Sequence, residues 1–208
     1  MPEESIDRRL ADASAPWDLL KHPFYQRWAA GELSRESLTY YAGQYAHVVR
    51  AIPRWLDRAA DVDAAHAETL RAHAKEEAAR EALWDRFAAT LGIEADALRA
   101  IPANAATATL IARCDALAAS GSGAAVVWAI EAQSPAVSAE KLRGLRAFYG
   151  IDAGSGGEYF ALHEALDVEH EAHLRTVIGE QPADVRDRAP AAVTEALSGM
   201  WGLLSAVA

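Results

Sequence analysis

The chain has 208 residues and carries 30 acidic and 20 basic side chains, a net charge of −10 at pH 7. A hydrophobic fraction of 51% with 24% charged residues is typical of a globular protein and excludes a disordered chain. The acid excess argues against nucleic acid or an anionic membrane as a partner, because both attract clustered Lys and Arg. Residues 1–14 are too charged for a signal peptide, and Cys114 has no second cysteine to pair with. We therefore expect one cytoplasmic domain over residues 1–208.

Helix formers dominate the composition. Forty-nine residues are alanine, the best helix former, and the period-2 alternation of strands is missing. An all-α bundle of about seven helices is therefore predicted. Pro16 and Pro23 divide the N-terminal region into short helices. Ser34 is expected to cap a long helix over residues 34–60, with a kink at Pro53.

Glycine, proline and capping residues also bound the later helices. Asn104 is a predicted N-cap, and Pro135 is expected to kink the helix that contains it. A flexible loop is predicted at residues 152–157, where the sequence reads DAGSGG. The later long helices are predicted over residues 64–91, 104–119, 124–149, 158–179 and 191–206.

One of these helices carries His163, Asp167 and His170 at the spacing i, i+4 and i+7. These positions lie on one helix face within about two turns. Two imidazoles and one carboxylate match the donor set of a non-haem iron site. The same spacing also suits a solvated polar stripe, so both interpretations stay open at this level.

Two glutamates on other helices are further candidates. Glu131 follows five apolar residues, and a glutamate on such a helix is rarely buried unless it is paired or bound to a metal. Glu77 is one of three carboxylates within two turns, a pattern that also suits an exposed helix surface. Three residues after Glu77, where a histidine ligand would be expected, stands Arg80, which stays protonated and cannot bind a metal.

Four short motifs occur in order between residues 20 and 180. They are HPFYQRW around Tyr25, EAQSP at Glu131, EKLRGL around Lys141 and HEALDVEH from His163 to His170. Together they resemble the haem-oxygenase-like (TenA/PqqC-like) di-iron oxidase superfamily. They are most similar there to the family of the Chlamydia protein associating with death domains and related self-sacrificing para-aminobenzoate synthases. The resemblance implies a seven-helix haem-oxygenase-like bundle that is often a homodimer.

The resemblance also implies roles for single residues. The iron ligands would be Glu77, Glu131, His163, Asp167 and His170. Arg80 stands where the superfamily has a further histidine ligand, so the site would hold two iron ions, or one if Arg80 disables a position. Tyr25 would supply an aromatic ring, Lys141 would donate nitrogen, and Tyr41 would be a further site tyrosine. Such a reaction needs dioxygen and an external reductant, and it occurs once per chain.

Other functions remain open on the sequence alone. Arg80 could pair with Glu77 or Glu131 and replace the metal in a binding or regulatory protein. The protein could instead oxidise a small amine or amino acid at a mononuclear or altered metal site. A thiaminase-like hydrolase is disfavoured, because residues 124–131 lack the required cysteine and Cys114 lies on the preceding helix.

Overall fold

A computed structural model describes residues 5–208, except for the side chains of residues 166 and 168; the start of the charged N-terminal segment, residues 1–4, lies outside this range. The described chain forms twelve α-helices and contains no β-strand, which confirms the predicted all-α class. The helices are α1 (Ile6–Ser14), α2 (Pro23–Ala30), α3 (Arg35–Val49), α4 (Ile52–Val62), α5 (Ala67–Thr90), α6 (Ala95–Ala100), α7 (Ala105–Leu117), α8 (Gly123–Glu131), α9 (Ser134–Gly144), α10 (Glu158–Glu180), α11 (Ala183–Arg186) and α12 (Ala189–Val207). The number exceeds seven because several helices are short and two predicted long helices are divided.

Capping residues determine where several helices begin. The side chains of Ser34 and Asn104 each accept a hydrogen bond from the backbone N–H three residues later, at 3.0 and 2.9 Å. Both predicted caps are thereby confirmed. Pro23 occupies the first turn of α2, and the His22 ring accepts a hydrogen bond from the backbone N–H of Phe24.

Proline divides two helices that were expected to be continuous. Pro53 lies in the first turn of α4, and the chain turns at residues 50–51, so α3 and α4 are separate helices. Pro135 likewise lies in the first turn of α9. Proline has no N–H to donate and its ring clashes with the preceding turn, so a new helix begins where a kink was predicted. The second break leaves Glu131 as the last residue of α8.

Helix α8 runs through the interior of the bundle. All of its residues are buried, and it packs against α4, α10 and α12. The helical stretch Ala105–Tyr149, which includes α8, is long and apolar enough to cross a membrane by length and composition. Its most apolar window is 56% buried inside the structure, as in core helices of soluble proteins. This stretch is therefore only weak support for a membrane span.

Helices α2 and α9 pack closely because Gly144 has no side chain. A Cβ atom there would lie 2.6 Å from the Trp28 ring. Trp28 also donates a hydrogen bond from Nε1 to the backbone oxygen of Lys141, at 3.1 Å. These contacts hold Lys141 next to the helix that carries Tyr25.

Ionisable side chains lie inside an otherwise apolar core. The core is one cluster of alanine, aliphatic and aromatic residues contributed by the long helices. Buried within it, on α5, α8, α9 and α10, are His73, Glu77, Arg80, Glu131, Lys141, His163 and Asp167. Burial of charged groups is unfavourable unless they are paired or bind a ligand, so this region is the candidate functional site.

Candidate metal centre and lysine chamber

Four side chains from three helices converge in the interior. His73 and Glu77 lie one turn apart on α5, Glu131 ends α8, and His170 belongs to α10. One potential ligand atom from each residue lies within 4.8 Å of those from the other three. The closest approach is 3.0 Å, between His73 Nε2 and Glu131 Oε1. Imidazole and carboxylate donors in this arrangement suit a divalent transition metal such as iron.

Most donor atoms of this group have no hydrogen-bond partner within the described residues. They include both ring nitrogens of His73, both carboxylate oxygens of Glu131 and Nδ1 of His170. His73 Nε2 and Glu131 Oε1 lie 3.0 Å apart but do not meet in hydrogen-bond geometry. Buried polar atoms are nearly always satisfied in folded proteins, because leaving one unpaired costs about 1–3 kcal/mol. One metal ion would satisfy several of these atoms together. The residues therefore fit the ion that their donor chemistry implies.

His73 is the member of this group that the sequence pattern did not bring to attention. The expected position for a histidine was three residues after Glu77, where Arg80 stands. His73 instead precedes Glu77 by four residues, which places both on one face of α5. This i, i+4 spacing was a usable signal for a pair of ligands.

Arg80 fills the adjacent part of the site. Its Nη1 donates a hydrogen bond to Glu77 Oε1 and a second one, at 3.2 Å, to Asp167 Oδ1. Glu77 was one of the two partners proposed from the sequence. The other proposed partner, Glu131, faces His73 instead, and Asp167 takes its place. A guanidinium between two carboxylates supplies fixed positive charge at this position.

His163 and Asp167 lie beside the four-residue group. His163 Nδ1 is 2.6 Å from the backbone oxygen of Tyr159, so Nδ1 carries the proton and Nε2 carries the lone pair. That Nε2 lies 3.8 Å from Glu77 Oε2. One oxygen of Asp167 pairs with Arg80, and the other is buried without a hydrogen bond. The five predicted ligands thus lie in one connected cluster, and their role as ligands stays a prediction.

Burial and neighbouring charges shift the pKa values in this cluster. Burial, reinforced by the nearby carboxylates, raises the pKa of Glu131 well above its usual range. Burial acts the same way on Glu77, but its contacts with His163 and the charge of Arg80 outweigh it and lower the pKa of Glu77. Burial lowers the pKa of His73, which keeps its imidazole in the neutral form that binds metals.

Lys141 ends in a chamber of aromatic rings. Its Nζ donates a hydrogen bond to the Tyr41 hydroxyl at 2.7 Å. The same atom lies 5.2 Å from the ring centroid of Tyr25, 4.7 Å from that of Tyr45 and 5.4 Å from that of Phe160. Burial lowers the pKa of Lys141 to about 7. A large fraction of this amine is therefore uncharged near neutral pH.

The free space in this lysine chamber is very small. The cavity beside Lys141 has a volume of about 10 Å³ and is lined by Tyr25, Tyr45 and Tyr159, among others. Such a volume holds about one water molecule and excludes a free amino acid. Tyr25 is only 1% exposed, so it does not face bulk solvent. The structure therefore brings together Tyr25, Tyr41 and Lys141, the three residues that the resemblance indicated.

Cys114 lies on α7 and is fully buried. Burial raises the pKa of its thiol to about 12, so the nucleophilic thiolate is not formed near neutral pH. Helix α8 carries no cysteine. These observations argue against a thiaminase-like hydrolase.

Comparison with known proteins agrees with this chemistry. A family described as iron-containing redox enzymes matches residues 39–202. A 4-aminobenzoate synthase of Chlamydia muridarum is 32% identical over 198 residues, which cover 89% of this chain and 83% of the relative. A TenA homolog from Pseudomonas syringae superposes with a TM-score of 0.82 at 17% identity, over 97% of this chain and 92% of its own. A Shewanella denitrificans domain with a haem oxygenase-like fold gives a TM-score of 0.82 at 17% identity, over 98% of this chain and 92% of its own. The chain therefore belongs to the family of iron-containing redox enzymes and has the haem-oxygenase-like fold.

Proposed function

We propose that the protein is an iron-dependent oxygenase that forms 4-aminobenzoate from its own Tyr25, with Lys141 as the nitrogen donor. The observation that carries the proposal is the sealed contact between these two residues. Lys141 Nζ lies 5.2 Å from the Tyr25 ring, in a chamber with about 10 Å³ of free space. The name of the Chlamydia muridarum relative, 4-aminobenzoate synthase, supports the product.

The carbon skeleton of tyrosine matches this product. In tyrosine Cβ is para to the hydroxyl, and in 4-aminobenzoate the carboxylate is para to the amine. Tyr25 would lose its Cα–Cβ bond, and Cβ would be oxidised to the carboxylate by dioxygen. Lys141 Nζ would replace the hydroxyl oxygen, which would leave as water, and the Cε–Nζ bond of Lys141 would break. The C–N bond needs an uncharged amine, which the lowered pKa of Lys141 provides. Bound iron would supply the activation of dioxygen, with electrons from an external reductant.

The closed chamber favours the chain's own side chain over a free substrate. A small amine or amino acid would need a cavity next to Lys141 much larger than one water molecule. Tyr25 already occupies that position, held by packing against Phe24 and Trp28. Because Tyr25 is consumed, each chain would form at most one molecule of product.

We further propose that each chain holds one iron ion. The residues that would hold it are His73, Glu77, Glu131 and His170. Arg80 already supplies positive charge between Glu77 and Asp167, where a second ion would otherwise be needed. One divalent ion balances the charge of three carboxylates and one guanidinium, whereas two ions would leave an excess of buried positive charge. The unpaired donor atoms of His73 and Glu131 favour a metal-binding protein over a metal-free regulatory one.

Isotope labelling tests the proposed reaction. Protein grown with [ε-¹⁵N]lysine and ring-¹³C tyrosine is loaded with ferrous iron without oxygen, then exposed to air and a reductant. We expect one equivalent or less of 4-aminobenzoate that carries both labels, with altered mass in the peptides containing Tyr25 and Lys141. Tyr25→Phe should form none, whereas Tyr40→Phe, at an exposed tyrosine, should behave as wild type. Labelled product from Tyr25→Phe, or several turnovers with added free tyrosine, would refute the proposal.

Two further properties stay predictions from the sequence. Formation of a homodimer would appear as a doubled mass in solution. The cytoplasmic location would appear in cell fractionation.

A further inference from the structure

The four-residue metal group is exposed to solvent mainly at His170. Its side chain is 16% exposed, compared with 3–4% for His73, Glu77 and Glu131. The His170 ring packs against the His73 ring with 3.8 Å between centroids. His170 is therefore the most accessible side chain of the group.

The two nitrogens of the His170 ring have different surroundings. Nε2 lies 3.2 Å from Oε2 of Glu76, a hydrogen-bond distance. Nδ1 is buried, has no hydrogen-bond partner within the described residues and lies 4.0 Å from Glu77 Oε1. A neutral imidazole has one proton, and a carboxylate acceptor at Nε2 places the proton there. The lone pair of Nδ1 is then directed at the metal group.

We propose that Glu76 is a positioning residue of the metal centre, which selects the His170 tautomer that offers Nδ1 to the ion and so slows loss of the ion. Helix α5 would supply Glu77 as an inner carboxylate and its exposed neighbour Glu76 as an outer one. The proposal rests on iron binding at the four-residue group, but not on the formation of 4-aminobenzoate.

His163, the other histidine of this cluster on α10, uses its ring nitrogens in the opposite way: Nδ1 is hydrogen-bonded and Nε2 faces the carboxylates. A backbone oxygen fixes the proton of His163 on Nδ1 and leaves Nε2 facing Glu77. Groups that hydrogen-bond the other ring nitrogen of a metal-binding histidine orient its ring, and their loss typically weakens metal binding about 10–100-fold. Glu76 therefore has a role that its exposed position on the helix does not suggest.

Iron release measures the effect of Glu76. Wild type, Glu76→Ala and Glu76→Gln are loaded with ferrous iron and mixed with an excess of a coloured ferrous chelator. We expect Glu76→Ala to release iron about 10–100-fold faster than wild type. Glu76→Gln should lie close to wild type, because its amide oxygen still accepts a hydrogen bond from Nε2. Glu169→Ala removes an exposed carboxylate next to His170 and should release iron at the wild-type rate.

The ¹⁵N chemical shifts of the His170 ring provide a second measurement, made on the iron-free protein. Wild type and Glu76→Gln should show the proton on Nε2, and Glu76→Ala should show a mixture of tautomers. Wild-type release and an unchanged tautomer in Glu76→Ala would overturn the proposal, as would equal acceleration in Glu169→Ala. If wild type binds no iron, the proposed metal centre fails together with this inference. If wild type binds iron and Glu76→Ala releases it at the wild-type rate, the inference alone fails.

Discussion

Replacement of Lys141 by methionine tests whether the buried amine is held in its uncharged form. Methionine has a similar length and is apolar, so Lys141→Met keeps most of the packing in the chamber. The pKa of Lys141 falls from 10.5 in the unfolded chain to about 7 in the folded protein. Between these two pH values the unfolded chain binds more protons than the folded one, so the free energy of unfolding rises with pH. The penalty of burying the amine is therefore largest below pH 7.

The size of the effect follows from the two pKa values. One pKa unit corresponds to about 1.4 kcal/mol, so the penalty at pH 7 is about 4 kcal/mol. Lys141→Met removes this penalty, although it also leaves the Tyr41 hydroxyl without its donor, which costs about 1–3 kcal/mol. The pH dependence is the sharper quantity. From pH 7 to pH 9 the wild type should gain about 2 kcal/mol of unfolding free energy that the variant does not gain.

Urea unfolding at pH 7, 8 and 9 measures this difference for both proteins in the same metal-free state. Lys21→Met is the matched control, because the Lys21 side chain is 75% exposed and its removal should leave the wild-type pH dependence. The yield of 4-aminobenzoate should rise with pH around a midpoint near 7, since the uncharged amine is the reactive form. Parallel pH profiles of the unfolding free energy for wild type and Lys141→Met would refute the reasoning.

Two other substitutions test the metal centre and the packing that holds Lys141. Arg80→His removes the fixed charge and adds an imidazole, so metal analysis should show two iron ions per chain instead of one; an unchanged ratio would contradict the role given to Arg80. Gly144→Ala places a methyl group 2.6 Å from the Trp28 ring and should lower the free energy of unfolding by about 1–3 kcal/mol. Urea unfolding measures this change, and Gly202→Ala, where the added Cβ meets no other atom within 4 Å, is its control.

The sequence predicted the helices better than the breaks between them. The caps at Ser34 and Asn104 are local features, and the structure confirms them. Whether Pro53 and Pro135 kink a helix or end it depends on how the following segment packs against the rest of the bundle. That packing involves residues far apart in the chain, which a local pattern does not describe.

The candidate site shows the same limit. The spacing along α10 places His163 and Asp167 on one face, and the apolar surroundings of Glu131 predict its burial. The partner of Arg80 on α10 is 87 residues away, so no spacing rule reveals that contact. The pairing of His73 with Glu77 differs from that long-range contact, because the two residues are only four positions apart in the sequence. The superfamily pattern places its histidine after Glu77 and not before it, so the resemblance does not indicate His73.

The surroundings of Lys141 explain how one core can hold both a neutral amine and a group of carboxylates. Tyr45 and Tyr159 line the chamber, and the pKa values of both are raised by burial, then by a neighbouring tyrosine and by the charges of Glu77 and Asp167. These rings thus lie near the lysine and near the carboxylates. An ammonium in contact with a carboxylate would be stabilised in its charged form, and its pKa would rise. Because aromatic rings and not carboxylates surround Lys141, a large fraction of its amine is uncharged beside Tyr25, while the carboxylates are grouped where iron would bind.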